Sequence, residues 1–334
     1  MTSPSAPPQL DLRTQPGKPP LLFAQPTPDL PNPTSWAQHH RDTLRGLVAE
    51  HGGVLVRGLG LRDPGQVAAV FTELSGGLMA DRESFATRRP FPGGVYSSTK
   101  WPANQPMCMH HELSYALEFP GLMLFACLQA APTGGATGIS DAQKILTALP
   151  TELVARFERE GWLLVRNYND DIGSPLSEAF GTDDRPTIET YCRANGIDYQ
   201  WQPDGGLRTR QRRHAIIAHP ITGQDCWFNQ IAFLNEWTLD PEVREFLVDV
   251  YGPESLPFNT YYGNGEPLTP DTVAMINQTY ETHTIREPWR NGDLMIVDNI
   301  RAAHSREAYA GQREVLVGMA SPLRMDGWPL EETR

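Results

Sequence analysis

The 334-residue chain is short of several things, and each shortage closes a route. No run of eighteen apolar residues occurs, so no membrane span is expected. Met1 to Gln25 holds no charged stretch followed by an apolar one, so no secretory signal is expected either. The four cysteines, Cys108, Cys127, Cys192 and Cys226, are too scattered for a CxxC zinc site or a disulfide framework. Reduced, buried thiols in a cytoplasmic protein are the expectation. Basic residues number 28 against 40 acidic ones, a net charge of −12, which argues against nucleic acid as a partner because phosphates demand clustered Lys and Arg. Neither GxGxxG nor GxxxxGK[ST] is present, so neither phosphate-cradling loop is supported.

What the chain does have is apolar material for a core (40 %) and much punctuation, with 30 prolines and 29 glycines. That balance favours many short strands joined by turns. Ten of the prolines lie in residues 4–33, so residues 1–34 read as an extended arm and residues 35–334 as a single domain. Ser35 is a plausible N-cap for a helix carrying Trp36, Leu44, Leu47 and Val48. Asp63-Pro64-Gly65-Gln66 opens a second helix, Asp240-Pro241 a third and Thr269-Pro270 a fourth. Pro150 to Glu160 and Thr187 to Asn195 also read as helices. Val54 to Val56, Gly121 to Ala131 and Trp162 to Asn167 read as strands, residues 92–104 as loop, and Gly292 to Met319 as strand, turn, strand. Trp36, Trp162 and Trp227 are expected in the core. Helices and strands do not alternate as in a Rossmann fold.

The most informative local sequence is Met109-His110-His111-Glu112-Leu113-Ser114-Tyr115. If His110 and Glu112 share a strand, their spacing of two puts both side chains on one face, an imidazole beside a carboxylate. A second histidine would complete a two-histidine, one-carboxylate set with open positions, the arrangement suited to non-haem Fe(II). His304, after the apolar strand and polar turn of Gly292 to Arg306, is the candidate. Arg313 stands nine residues on, where its planar fork could bind a carboxylate inside the same barrel. Alone, the HxE spacing also fits a surface pair, and the segment ending at Arg313 a capped hairpin.

MHHELSY, GGATGISDA (Gly134 to Ala142), WFNQ (Trp227 to Gln230) and DNIRAAHSREAYAGQRE (Asp298 to Glu314) occur in this order. In that combination the chain resembles the TauD/TfdA superfamily over roughly residues 36–322. Within it the chain looks most like the SyrP-like and clavaminate-synthase-like branch. The resemblance implies a mixed, β-rich fold, a double-stranded β-helix or jelly roll with flanking α-helices. It implies Fe(II) as metal, 2-oxoglutarate and O2 as co-substrates, and His110, Glu112 and His304 as iron ligands. Thr137 and Arg313 then bind 2-oxoglutarate. The implied reaction hydroxylates an amino acid, free or tethered to a peptidyl carrier protein, in secondary metabolism, releasing succinate and CO2. Desaturation, epoxidation and cyclisation are alternative outcomes, and an inactive jelly-roll binding protein is the alternative of another class.

Two departures stand out: Glu112 where taurine-type enzymes carry Asp, and His111 where the branch often has Asn. His111 is therefore a candidate substrate residue. Arg208, Arg210 and Arg212 alternate in LRTRQRR and so share a strand face, which is either a site for a substrate carboxylate or acidic carrier surface or a solvated face. Asn229 and Gln230 are candidates for the substrate pocket or for amides satisfying loop backbone. Arg301 and Arg306 are candidates to orient the ligands.

Overall fold

The computed structural model describes residues 11–23, 32–80, 82–83, 85–169 and 171–328. Its organising element is the strand Glu118–Gln129, which is apolar from Phe119 to Leu128 because both of its faces are covered there. Met123, Phe125 and Cys127 join one core cluster; Leu124 and Ala126 join another. The same alternation runs through its two antiparallel neighbours in an eight-stranded sheet, Leu294–Asp298 and Glu314–Arg324, and through Gly53–Arg57, which pairs with Leu294–Asp298. Helices Pro33–His51 and Pro64–Ser75 cover the outer face through Trp36, Leu44, Val48, Val67, Val70 and Phe71.

The inner face looks onto a four-stranded sheet in the order Ile285–Glu287, Thr137–Asp141, Ala302–Arg306, Met107–His110. These two sheets are the double-stranded β-helix, the β-rich fold expected. Helix Pro270–His283 lies behind the smaller sheet and buries Val273, Ile276 and Tyr280. Residues 142–284, inserted between two strands of that sheet, hold another four-stranded sheet: Asp198–Trp201, Leu207–Arg213, Trp162–Tyr168, Phe258–Tyr262. Eight α-helices occur among the described residues.

Several boundaries differ from the sequence expectation. The first helix is capped by Asn32, whose Oδ1 accepts from the Ser35 N–H at 2.8 Å, so Ser35 lies inside it. The loop 92–104 contains the strand Val95–Ser97. Part of the proline arm is built into the main sheet: Asp11–Arg13 pairs with Leu21–Phe23, which runs parallel to Gly53–Arg57. Pro16, Pro19 and Pro20 flank these strands and cost no ladder hydrogen bond within them. Leu22 is fully buried.

Candidate metal centre

His304 sits in the middle of Ala302–Arg306 and is the direct cross-strand partner of His110, the last residue of Met107–His110. That pairing, across almost two hundred residues of chain, brings the two rings to a centroid distance of 4.4 Å on the inner face. Glu112 arrives differently. The strand ends at His110, so the shared strand face expected for His110 and Glu112 does not exist; Glu112 lies in the following turn, before Leu113 at a φ of 53°. One Glu112 carboxylate oxygen nevertheless lies 3.8 Å from His304 Nε2. Ligand atoms of His110, Glu112 and His304 all fall within 4.8 Å of one another, and the three residues are buried.

The donor set fits a divalent metal. His110 donates from Nδ1 to the Cys108 carbonyl at 2.8 Å, which leaves the Nε2 lone pair for a ligand. Burial is the main cause holding the His110 pKa below its usual value, with the Glu112 charge opposing it. Burial, then the charges of His110, His111 and Arg88, holds that of His304 well below. Both imidazoles are therefore neutral near pH 7. Phe233 stacks on His110 at 4.6 Å and Phe125 meets His304 edge-on at 5.2 Å, so the rings are fixed by apolar walls.

The surrounding cavity is narrow, about 40 Å³, and Thr137, Arg88 and Arg313 also line it. It shares Ser98, Thr99, Arg313 and Val315 with an adjoining open groove of about 680 Å³. Arg313 donates from Nε to the Gly135 carbonyl at 2.9 Å, and no carboxylate pairs with it among the described residues. Gly135 has φ +77°, and a Cβ there would lie 3.0 Å from the Arg313 side chain, so the GGAT glycine gives the arginine its room. Burial, and secondarily Arg306, lowers the Arg313 pKa to about 10, which leaves it charged at neutral pH. Thr137 Oγ1 accepts from Trp289 Nε1 at 3.2 Å, so its own hydroxyl proton remains to be donated.

Of the remaining candidates only Arg306 also lines this cavity. His111 is fully buried, bonds the Asn299 carbonyl at 2.6 Å and packs on Phe228; it does not line the cavity. Asn229 donates to the Ala215 carbonyl at 3.0 Å and accepts from Ile231 N–H at 3.1 Å, and Gln230 donates to the His111 carbonyl at 2.7 Å. Both amides satisfy backbone. On Leu207–Arg213 the alternation is inverted relative to a site: Leu207, Thr209, Gln211 and Arg213 are buried, while Arg208, Arg210 and Arg212 point outward. Arg208 pairs with Glu254 at 2.7 Å. Arg306 donates to the carbonyls of Trp101, Pro102 and Gln105, and Arg301 lies 3.4 Å from Asp141.

Two residues that the motifs did not single out touch the centre. Arg88 donates to the Glu112 carboxylate at 2.8 Å. Asn299 accepts from the Glu112 N–H at 2.8 Å and donates to the Glu112 carbonyl at 2.9 Å. Its turn is held by Asp298, whose carboxylate takes the Ile300 and Arg301 N–H groups and lies 2.9 Å from His219 Nε2. Asn299 was discoverable from its place in DNIRAAHS; Arg88, in ATRRP, carried no signal.

A family model described as "Taurine catabolism dioxygenase TauD, TfdA family" matches residues 13–320. The chain is 33 % identical over 285 residues to the "Dapdiamide synthesis protein DdaC" of Enterobacter agglomerans, covering 85 % of this chain and 86 % of that one. It is 26 % identical over 325 residues to a clavaminate synthase-like protein of Arabidopsis thaliana, covering 90 % and 93 %. Among solved structures, PvcB from Pseudomonas aeruginosa superposes with a TM-score of 0.54 at 15 % identity, covering 95 % and 92 % of the two chains. A second PvcB structure, described as an Fe, alpha-ketoglutarate dependent oxygenase from an isonitrile synthetic pathway, gives 0.52 at 16 % identity, covering 97 % and 96 %.

Proposed function

The chain belongs to the TauD, TfdA family of Fe(II)- and 2-oxoglutarate-dependent dioxygenases, and on that premise we propose that His110, Glu112 and His304 hold the iron while Arg313 and Thr137 hold 2-oxoglutarate. The observation that carries this reading is the convergence of two neutral imidazoles and one carboxylate, all buried, on a cavity that also receives a buried guanidinium with no acid partner among the described residues. A buried cation of that kind calls for an anionic ligand. Arg313 takes the distal carboxylate of 2-oxoglutarate and Thr137 donates its hydroxyl proton to the same co-substrate. Phe125 and Phe233 exclude water from the ligand rings.

When bound, iron with 2-oxoglutarate and O2 supplies the oxidising power for hydroxylating an unactivated C–H bond, with release of succinate and CO2. Glu112 favours hydroxylation over halogenation, because its carboxylate occupies the place a halide ion would need. The substrate we infer is an amino acid or a derivative of one, free or on a peptidyl carrier protein; the relative named for dapdiamide synthesis and the neighbour from an isonitrile pathway support that class. Among the described residues no helix is long and apolar enough to cross a membrane, and the four cysteines are free thiols; we place the enzyme in the cytoplasm. We take residues 35–334 as one catalytic domain.

The test is anaerobic addition of Fe(II) and 2-oxoglutarate to the apoprotein, followed by air and an amino-acid library. A visible charge-transfer band, lost in His304→Ala, and substrate-dependent succinate release are expected. A product 16 mass units heavier is expected for hydroxylation, against 2 lighter for desaturation or ring closure. Absence of the band from the wild-type chain overturns the reading and favours an inactive jelly-roll binding protein.

A further inference from the structure

Glu112 poses a geometric problem that His110 and His304 do not. Strand register fixes the two histidines, but Glu112 stands beyond the end of its strand, in a turn whose next residue, Leu113, adopts φ 53°. A glutamate side chain has three rotatable bonds, and nothing in that turn selects the conformer that meets His304. Its peptide is fixed by Asn299, which bonds both the N–H and the carbonyl of Glu112. Its carboxylate is fixed by Arg88, and Arg88 is itself held: Nε donates to Thr99 Oγ1 at 3.0 Å, Nη1 lies 3.8 Å from Met319 Sδ, and Nη2 reaches Glu112 at 2.8 Å. The Arg88 side chain is 5 % exposed and that of Glu112 3 %.

We propose that Arg88 is a positioning residue for the metal: it holds the Glu112 carboxylate beside His110 and His304 before the ion arrives. This rests on the iron-binding reading above. The role needs arginine, because its planar fork addresses Thr99 and Glu112 at once, whereas a lysine ammonium makes a point contact. Outer partners of this kind typically change metal affinity by about 10- to 100-fold when removed.

The test titrates the apoprotein with Co(II) and follows its visible ligand-field absorption, so that turnover is not the readout. Arg88→Met is expected to weaken Co(II) binding about 10- to 100-fold. Arg88→Lys, which keeps the charge but not the fork, is expected to lose less. In a Glu112→Gln background, Arg88→Met is expected to add little, because the residue it acts through is already altered. Wild-type affinity in Arg88→Met overturns the proposal, as does an equal loss in the Glu112→Gln background, which marks a merely structural role. If Arg88→Met fails to fold, Arg88→Lys decides alone: an intermediate affinity supports the role and an unchanged one overturns it. A wild-type chain that binds no Co(II) sinks the iron site itself, whereas an Arg88 variant that binds normally sinks only this role.

Discussion

Two of the buried polar clusters in this fold are built on opposite terms. Around Glu83, donors and acceptors answer one another. Its carboxylate accepts from the Tyr191 hydroxyl and the Gln211 amide, both at 2.6 Å. Its carbonyl accepts from the Tyr115 hydroxyl at 2.6 Å and Arg166 at 2.7 Å. Arg213 directs its donors to the carbonyls of Tyr115, Gly196, Arg212 and Asn195. Gln211 Oε1 is the exception, with no partner. Around His304 the groups point into one shared cavity instead. His304 turns its Nε2 toward the Glu112 carboxylate at 3.8 Å, and among the described residues Arg313 reaches a single carbonyl and no acid. A cluster that satisfies itself holds a fold; one that leaves lone pairs and charge aimed at a common space is built to receive something.

The contrast breaks most sharply through substitution at its two centres. His304→Ala is expected to abolish turnover, by about a thousandfold or more, since it removes a ligand of the metal that supplies the chemistry. The same change should leave the melting temperature of the metal-free protein within about 2 °C, because the lost ring makes no hydrogen bond at Nδ1 and loses ring packing against Phe125 and His110 alone. Succinate formation and a thermal melt in chelator check both halves. Arg213→Met should behave the other way round. It removes the donors of four carbonyls, that of Tyr115 buried and the others part-buried, and is expected to cost about 3 kcal/mol, several degrees of melting temperature. The charge-transfer band of the folded variant with Fe(II) and 2-oxoglutarate should persist. A His304→Ala protein that melts as early as Arg213→Met would remove the distinction.

The same difference explains what could be read from the sequence. Histidines 110 and 304 were legible because motif order carried them, although the strand argument linking His110 to Glu112 was wrong in its local geometry. The all-apolar Gly121 to Ala131 announced a strand with two covered faces, and Glu118–Gln129 is one. Arg88 was illegible, because its role depends on a hairpin that carries it to a carboxylate 24 residues away in sequence, and no local pattern records such a meeting. Arg208 and Arg210 stayed open between a site and a solvated face, because period two states that they share a face but not which face the core covers. The proline arm was misplaced for a related reason, since prolines mark where a strand cannot continue and say nothing of the three-residue strands between them.

A smaller effect tests whether that arm belongs to the structural side of the comparison. Lys18 meets Glu287 at 2.6 Å and Arg57 meets it at 3.1 Å, linking the arm to the smaller sheet. Burial of Glu287 opposes its ionisation, but the hydrogen bond and charge of Lys18, with Arg57, outweigh it and hold the carboxyl below its ordinary range. A carboxyl depressed in the folded state contributes stability above its unfolded pKa, about 4.3, and loses it as pH falls through and below that value. Lys18 is 44 % exposed, so Lys18→Met should cost only about 0.5 kcal/mol at pH 7. The difference should narrow between pH 7 and a pH below the depressed folded-state value of Glu287. Urea midpoints of both proteins at the two pH values measure it, and a gap that survives acidification would assign the tether to packing.

The smallest expected effect bears on the substrate. Arg208 and Arg210 lie on the outward face of Leu207–Arg213, and Arg208 is already paired with Glu254, itself largely exposed. An exposed pair of this kind contributes about 0–1 kcal/mol, and screening by salt reduces it further. Arg208→Ala and Arg210→Ala should therefore leave stability within about 0.5 kcal/mol. With a free amino-acid substrate they should leave both kcat and KM unchanged, since neither side chain lines the cavity of His304. With a substrate tethered to an acidic carrier protein, the two forms of KM effect separate. A rise in KM confined to the tethered substrate would make this face a docking surface for the carrier. A rise shared with the free substrate would place an arginine at the reacting molecule and refute the outward assignment.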